Sequence, residues 1–218
     1  VIAAVGDETA HKSLELLEGL PMIDKVLPIQ HRYKLVSREF HDANSVVSLG
    51  DDIQIGGGHF LMIAGPCSVE SRDQMMEVSE NLAAAGIRVI RGGAFKPRTS
   101  PYDFQGLGQD GLDILAEVKA QFGFKIVTEV VGITHVADVA EVADVLQIGA
   151  RNCQNYQLLE AVAKAGRAVM LKRGMATTVE EWLSAAEYLA INGCENIILC
   201  ERGIRTFENA TRSTLDVR

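Results

Sequence analysis

Six short apolar runs, each with a polar residue or glycine near its end and separated from the next by a helical stretch, constrain this fold more than any other feature. They are FLMIAGPC (60–67), IRVIRGG (87–93), KIVTEV (125–130), VLQIGA (145–150), AVMLKRG (168–174) and NIILCERG (196–203). Near-continuous apolar strands suit a parallel sheet covered on both faces. Helix boundaries are marked between them. Ser71 with Gln74 and Thr178 with Glu181 have capping-box spacing. Met75, Val78 and Leu82 line one helix face, and Trp182, Ala186 and Leu189 another. Gly86, Gly166 and Gly193 stand where helices should stop. Alternating strand and helix predicts an α/β fold with right-handed crossovers. A closed (β/α)8 TIM barrel takes about 250 residues. The expectation is therefore a TIM barrel truncated to the strands these runs supply.

Upstream, Val1–Val5 reads as a strand, Leu14, Leu17 and Leu20 recur at helical spacing, and Met22–Ile29 reads as a second strand. The expected division is a βαβ piece over 1–30, a linker over 31–58 with the turn Gly56-Gly57-Gly58, and a partial barrel over 59–218. The chain opens on VIAAVG without methionine and closes on TLDVR. Both ends read as cut, so a fragment of a longer protein is expected.

Charge narrows the function classes. Lys and Arg total 21 against 29 Asp and Glu, a net charge of −8. That argues against a broad nucleic-acid surface but leaves room for a local basic cleft. No stretch approaches the roughly 20 apolar residues of a membrane span, and no signal peptide is legible. Cys67, Cys153, Cys194 and Cys200 form no C-x-x-C pair, so they read as free thiols of a reducing cytoplasm.

The polar residues gather where the apolar runs end: Cys67, Arg91 with Lys96, Glu129, Arg151, Lys172 and Arg202. In a parallel barrel those positions converge on the face that carries active sites. A single charge after a strand is an ordinary loop feature, but one at nearly every strand end is not. Cations sharing a cleft repel one another unless an anion joins them. Arg grips phosphate or carboxylate in a planar fork, and Lys supplies a point charge. Glu129 either balances charge or positions a water or proton. Cys67 is a soft metal ligand, a nucleophile or a small apolar filler. None of His11, His31, His41, His59 and His135 falls at a strand end to partner it. Cys153, Cys194 and Cys200 read as structural. The loop Lys96-Pro97-Arg98-Thr99-Ser100-Pro101 sets two cations and two hydroxyls between stiffening prolines.

GPCSVES (65–71), RGGAFKPRTSPYDFQGLG (91–108), QIGARNCQN (147–155), LKRG (171–174) and CERGIRTFE (200–208) resemble 3-deoxy-D-arabino-heptulosonate 7-phosphate (DAHP) synthases of the type I beta group. The resemblance runs from about residue 30 to 218. It implies condensation of phosphoenolpyruvate with erythrose 4-phosphate, with phosphate release, in a cytoplasmic enzyme at the entry to aromatic amino-acid synthesis (the shikimate route to chorismate). It also implies a divalent metal of the Mn, Fe, Co or Zn class, with Cys67 as a ligand. Arg91, Lys96, Arg151, Lys172 and Arg202 then hold phosphoenolpyruvate, helped by the backbone of Gly149 and Ala150. Arg98, Thr99 and Ser100 take the erythrose phosphate, and Glu129 orients the attacking water. Lys96 and Glu129 are the catalytic pair. The βαβ piece resembles part of a ferredoxin-like regulatory domain, and a homo-oligomer, usually a tetramer, is implied. The remaining metal ligands of the family, a His, a Glu and an Asp, match no position here, so the chain alone is expected to be inactive.

Three other readings remain open. One is the sister 3-deoxy-D-manno-octulosonate 8-phosphate synthase, whose loop typically has Ala-Asn where this chain has Pro97-Arg98. Another is a non-catalytic anion-binding barrel. The last is a Schiff-base aldolase using Lys172, although the adjacent Arg173 suits anion binding better.

Overall fold

The computed structural model describes residues 16–26, 31–50 and 52–217. Its strands are β1 (Val46–Ser48), β2 (Gln54–Gly56), β3 (Ile63–Ala64), β4 (Val89–Arg91), β5 (Lys125–Glu129), β6 (Val145–Ile148), β7 (Ala168–Lys172) and β8 (Ile197–Cys200). Its helices are α1 (Arg72–Ala84), α2 (Gln109–Phe122), α3 (Val136–Val142), α4 (Tyr156–Ala163) and α5 (Val179–Ile191).

All six apolar runs become strands of one parallel sheet, ordered β3-β4-β5-β6-β7-β8. A sheet that grows in one direction through same-handed crossovers keeps its helices on one side. A doubly wound sheet instead reverses its order at a switch point. The sequential order and the right-handed strand twist give the arc of a barrel. Its edges are β3 and β8.

Both faces of the arc are apolar, which is why the strands read as continuous runs. Side chains alternate along a strand. Ile90, Ile126, Leu146, Val169 and Leu171 face outward and pack with Leu112, Leu115, Leu158 and Leu189 of the helices. Val89, Val127, Val145, Met170 and Ile198 face inward and form a second cluster.

The inner cluster includes residues from the segment read as a linker. β1 and β2 form an antiparallel hairpin with Val47 opposite Ile55. Val47, Leu49 and Ile53 are only 5%, 8% and 3% exposed and pack inside the arc. The hairpin floors the barrel interior, so this part of the linker belongs structurally to the barrel. Just upstream, the Leu35 and Val36 N–H groups donate to the two oxygens of Glu187 on α5, at 2.9 and 3.1 Å.

Most of the expected N-terminal βαβ piece lies outside the described residues. Within 16–26 the chain makes turns, with the Leu20 N–H on the Leu17 carbonyl and the Ile23 N–H on the Leu20 carbonyl. Residues 22–26 are not in a strand, contrary to the strand expected over Met22–Ile29.

The helix starts differ from each other. Thr178 and Glu181 complete a reciprocal capping box on α5. Ser71 accepts from the Gln74 N–H at 3.1 Å, but the Gln74 side chain returns to the Glu70 N–H, one residue too early for the full motif. Trp182 of α5 donates from Nε1 to the Leu171 carbonyl at 3.2 Å, pinning the helix to β7.

Candidate active site

The two-residue period that buries the inner apolar layer also places the polar residues above it. Val89 is followed two residues on by Arg91, Val127 by Glu129, Val145 by Gln147 and then Gly149, and Met170 by Lys172. Register sets Glu129 beside Gln147 and Lys172 beside Cys200. The strand ends therefore present one polar surface on top of an apolar plug.

Glu129 lies at the centre of that surface. It is 7% exposed, and Gln147 Nε2 donates to its Oε2 at 3.3 Å. Burial raises its carboxyl above the ordinary range, and the attraction of Lys96, Lys172, Arg151 and Arg91 only partly offsets this. Four cations from the ends of three strands, β4, β6 and β7, thus act on one carboxylate. Lys172 shows the complementary effect: burial first, then Arg91 and Lys96, lower its ammonium despite the pull of Cys200 and Glu129. Two lysines and two arginines around one buried carboxylate suit an anionic ligand.

Cys67 sits at the rim. Lys96 Nζ donates to its Sγ at 3.2 Å and to its carbonyl oxygen at 3.0 Å, and Arg91 Nη2 reaches the same carbonyl at 3.3 Å. The Lys96 hydrogen bond brings the thiol below its usual range, with burial acting against it. Gly65 permits this approach. Its φ is +132°, and a Cβ there would meet the Arg91 carbonyl oxygen at 2.2 Å. Gly149 is required for another reason: a Cβ would lie 2.0 Å from Glu129 Oε1. Ala150 and Arg151 then begin a 3-10 turn, Ala150–Asn152.

The loop after β4 reaches the cleft at one hydroxyl. Arg151 Nη2 donates to Thr99 Oγ1 at 3.2 Å. Arg98 turns back to the Phe104 carbonyl at 3.0 Å, and Ser100 Oγ accepts from the Tyr102 N–H at 3.3 Å. Arg202 also stands apart. Its Nη1 donates to Ser213 Oγ at 3.1 Å and to the Gly203 carbonyl at 3.3 Å. The structure therefore brings Cys67, Arg91, Lys96, Glu129, Arg151 and Lys172 together and joins Thr99 to them. It ties Arg98, Ser100 and Arg202 to their own loops.

Sequence reasoning missed several residues. Gln147 supports Glu129, and the buried Thr128 hydroxyl accepts from the Ala94 N–H at 3.3 Å, holding the Lys96 loop against β5. Arg173, 3% exposed, donates to Glu201 and Asp216. The available signal was a polar residue inside an otherwise apolar run, which Gln147 and Thr128 both are.

The donor set does not by itself fit a metal. Cys67 has suitable thiol chemistry, but no group of three or more His, Cys, Asp or Glu among the described residues is placed to hold one.

Residues 39–218 match the DAHP synthetase I family. The chain belongs to that family. It is 51% identical over 217 residues to the phospho-2-dehydro-3-deoxyheptonate aldolase of Thermotoga maritima, covering 100% of this chain and 64% of the relative. The Thermotoga maritima DAHP synthase crystal structure superposes with a TM-score of 0.82 at 52% identity, over 93% of this chain and 59% of that one. The 2-dehydro-3-deoxyphosphooctonate aldolase of Trichlorobacter lovleyi is more distant, at 37% identity over 165 residues, 72% of this chain and 60% of the relative. This DAHP synthetase family chain thus spans less than two thirds of the length of these relatives. The likeness to the Thermotoga structure makes its six-stranded arc part of a TIM-barrel fold.

Proposed function

We propose that the polypeptide carrying this chain is a transferase that condenses phosphoenolpyruvate with erythrose 4-phosphate, giving DAHP and inorganic phosphate. The observation that carries the reading is the set of four strand-end cations acting on one buried carboxylate, Glu129, in a member of this family. Phosphoenolpyruvate brings a carboxylate and a phosphate, and so relieves the mutual repulsion of Arg91, Lys96, Arg151 and Lys172. Arg202 joins them on binding, and the Gly149 and Ala150 backbone helps. Arg98, Thr99 and Ser100 take the sugar phosphate.

In the reaction, Glu129 orients a water and accepts its proton as the water oxygen attacks C2 of the enol. The electron pair of the enol double bond moves to C3, which bonds to the aldehyde carbon of the sugar. The aldehyde oxygen takes a proton from the Lys96 ammonium. The tetrahedral C2 then expels phosphate, which carries off the C2 hydroxyl proton, and becomes the ketone, while the proton held by Glu129 restores the Lys96 ammonium. The surrounding cations stabilise the moving charge without needing to reorganise. A divalent metal of the Mn, Fe, Co or Zn class belongs to this reading; Cys67 would be one of its donors, and the metal would supply Lewis-acid chemistry.

The reading carries further proposals: a ferredoxin-like regulatory piece over 1–30, and a linker over 31–58 whose β1–β2 hairpin packs into the barrel that follows from 59, in a cytoplasmic homo-oligomer. All four cysteines are free thiols, which supports a reducing compartment.

The test is an assay of the full polypeptide with phosphoenolpyruvate and either erythrose 4-phosphate or arabinose 5-phosphate. The expected result is a kcat/KM about tenfold or more higher for the four-carbon sugar. The reverse preference assigns the sister reaction. No consumption with either sugar leaves the non-catalytic reading.

A further inference from the structure

We infer that Glu201 is a positioning residue that sets Arg202 for phosphoenolpyruvate, acting as a carboxylate clamp between the loops after β7 and β8. The inference rests on the proposed function and adds a residue that touches no substrate.

The geometry is specific to one side chain. Glu201 folds back on the chain that follows it. Its Oε1 accepts from the Arg202 N–H at 2.9 Å and from the Gly203 N–H at 2.7 Å. Its Oε2 accepts from Arg173 Nη1 at 2.8 Å. Arg173 is anchored on three sides. The same Nη1 donates to Asp216 Oδ2 at 2.9 Å, Nε donates to the Thr177 carbonyl at 2.8 Å, and its backbone N–H donates to the Cys200 carbonyl at 3.0 Å. The Arg173 side chain is 4% exposed and that of Glu201 27%. Burial raises the Glu201 carboxyl, but bonds from Arg173, Gly203 and Arg202 outweigh it and hold the carboxyl below its ordinary range.

The neighbours of this pair give it a role. Arg173 directly follows Lys172, and Glu201 directly precedes Arg202. The ion pair therefore links the two strand ends that carry those cations. Arg202 needs such a constraint because its loop is not regular structure. Gly203 has a φ of +79°, and beyond it the chain is held by the isolated bridge between Ile204 and Thr214 and by the Arg205 N–H on the Met175 carbonyl at 2.7 Å. The Arg202 guanidinium rests on Ser213 rather than among the other cations. Its backbone is the part that is fixed, and Glu201 fixes it. The substrate then has only to draw one side chain across, which lowers the ordering cost of binding.

Three variants test this in the full polypeptide. Glu201→Gln removes the charge that Arg173 holds. Glu201→Asp keeps a charge but shortens the reach to the two N–H groups. Asp216→Asn removes the other acidic partner of Arg173 and leaves the clamp intact. Both Glu201→Gln and Asp216→Asn are expected to lower the unfolding temperature, so stability alone does not separate them. The separation lies in phosphoenolpyruvate. Both Glu201 variants are expected to raise its Kd by calorimetry, and its KM, by about tenfold, leaving the KM for erythrose 4-phosphate unchanged. Asp216→Asn is expected to leave all three constants within about twofold of the parent. Equal weakening by Glu201→Gln and Asp216→Asn, or no weakening in either Glu201 variant, overturns the clamp while the proposed function stands. Failure of the parent protein to bind phosphoenolpyruvate overturns both. If Glu201→Gln does not fold, Glu201→Asp against Asp216→Asn reads the same difference.

Discussion

Glu129 packs directly against Gly149 in the cleft. A methyl group at position 149 would occupy the place of Glu129 Oε1. Gly149→Ala is expected to turn the carboxylate away and lower kcat by about a hundredfold, with a smaller effect on phosphoenolpyruvate affinity; an unchanged kcat sinks this role. The raised Glu129 carboxyl also predicts a pH dependence. Between its ordinary value of 4.5 and its higher folded value, the native state binds more protons than the unfolded chain. Ligand-free stability should therefore fall as pH rises through that window. Glu117, Glu181 and Glu201 shift the opposite way and act below the window. Urea unfolding at a series of pH values should show the slope in the parent and a shallower one in Glu129→Gln. Equal slopes contradict it. The identities of these site residues were legible because chemistry at a strand end stands out against apolar runs. Their partners were not. Nothing in the sequence distinguishes Arg151, which reaches Thr99, from Arg98, which turns back on its own loop.

At the level of elements, the six strands were legible and the hairpin was not, for one physical reason. A strand covered on both faces is buried at nearly every position and therefore mostly apolar, and β5 to β7 carry that signal. β1 buries only its middle residue, so it leaves almost no pattern. Its place is set by long-range packing against Val89, Val127 and Met170. Ile53→Ala removes a side chain that fills the arc from below and should cost about 2–5 kcal/mol in denaturant unfolding; a cost near zero means that the hairpin does not seal the interior. Thr178→Ala breaks the complete capping box of α5 and should cost about 1 kcal/mol. Trp182, the single tryptophan, reports on that change by fluorescence because it bonds to the carbonyl just before Lys172.

Across the whole molecule, the inner apolar floor and the polar rim share one strand period. The sheet that buries Val89, Val127 and Met170 must bring Arg91, Glu129 and Lys172 to the same side. The barrel winding was readable from the strand–helix alternation, and the converging face followed from the winding. What holds the Arg202 loop was not readable, because it depends on Glu201 meeting Arg173, 28 residues away in sequence. The central claim is that this face is a phosphoenolpyruvate site. Calorimetric titration of phosphoenolpyruvate into the full polypeptide, parent against Lys172→Met, tests it most directly. Saturable binding that added salt weakens, and that the substitution reduces by about a hundredfold, is the predicted result. Parent and variant binding alike, or neither binding, would contradict it.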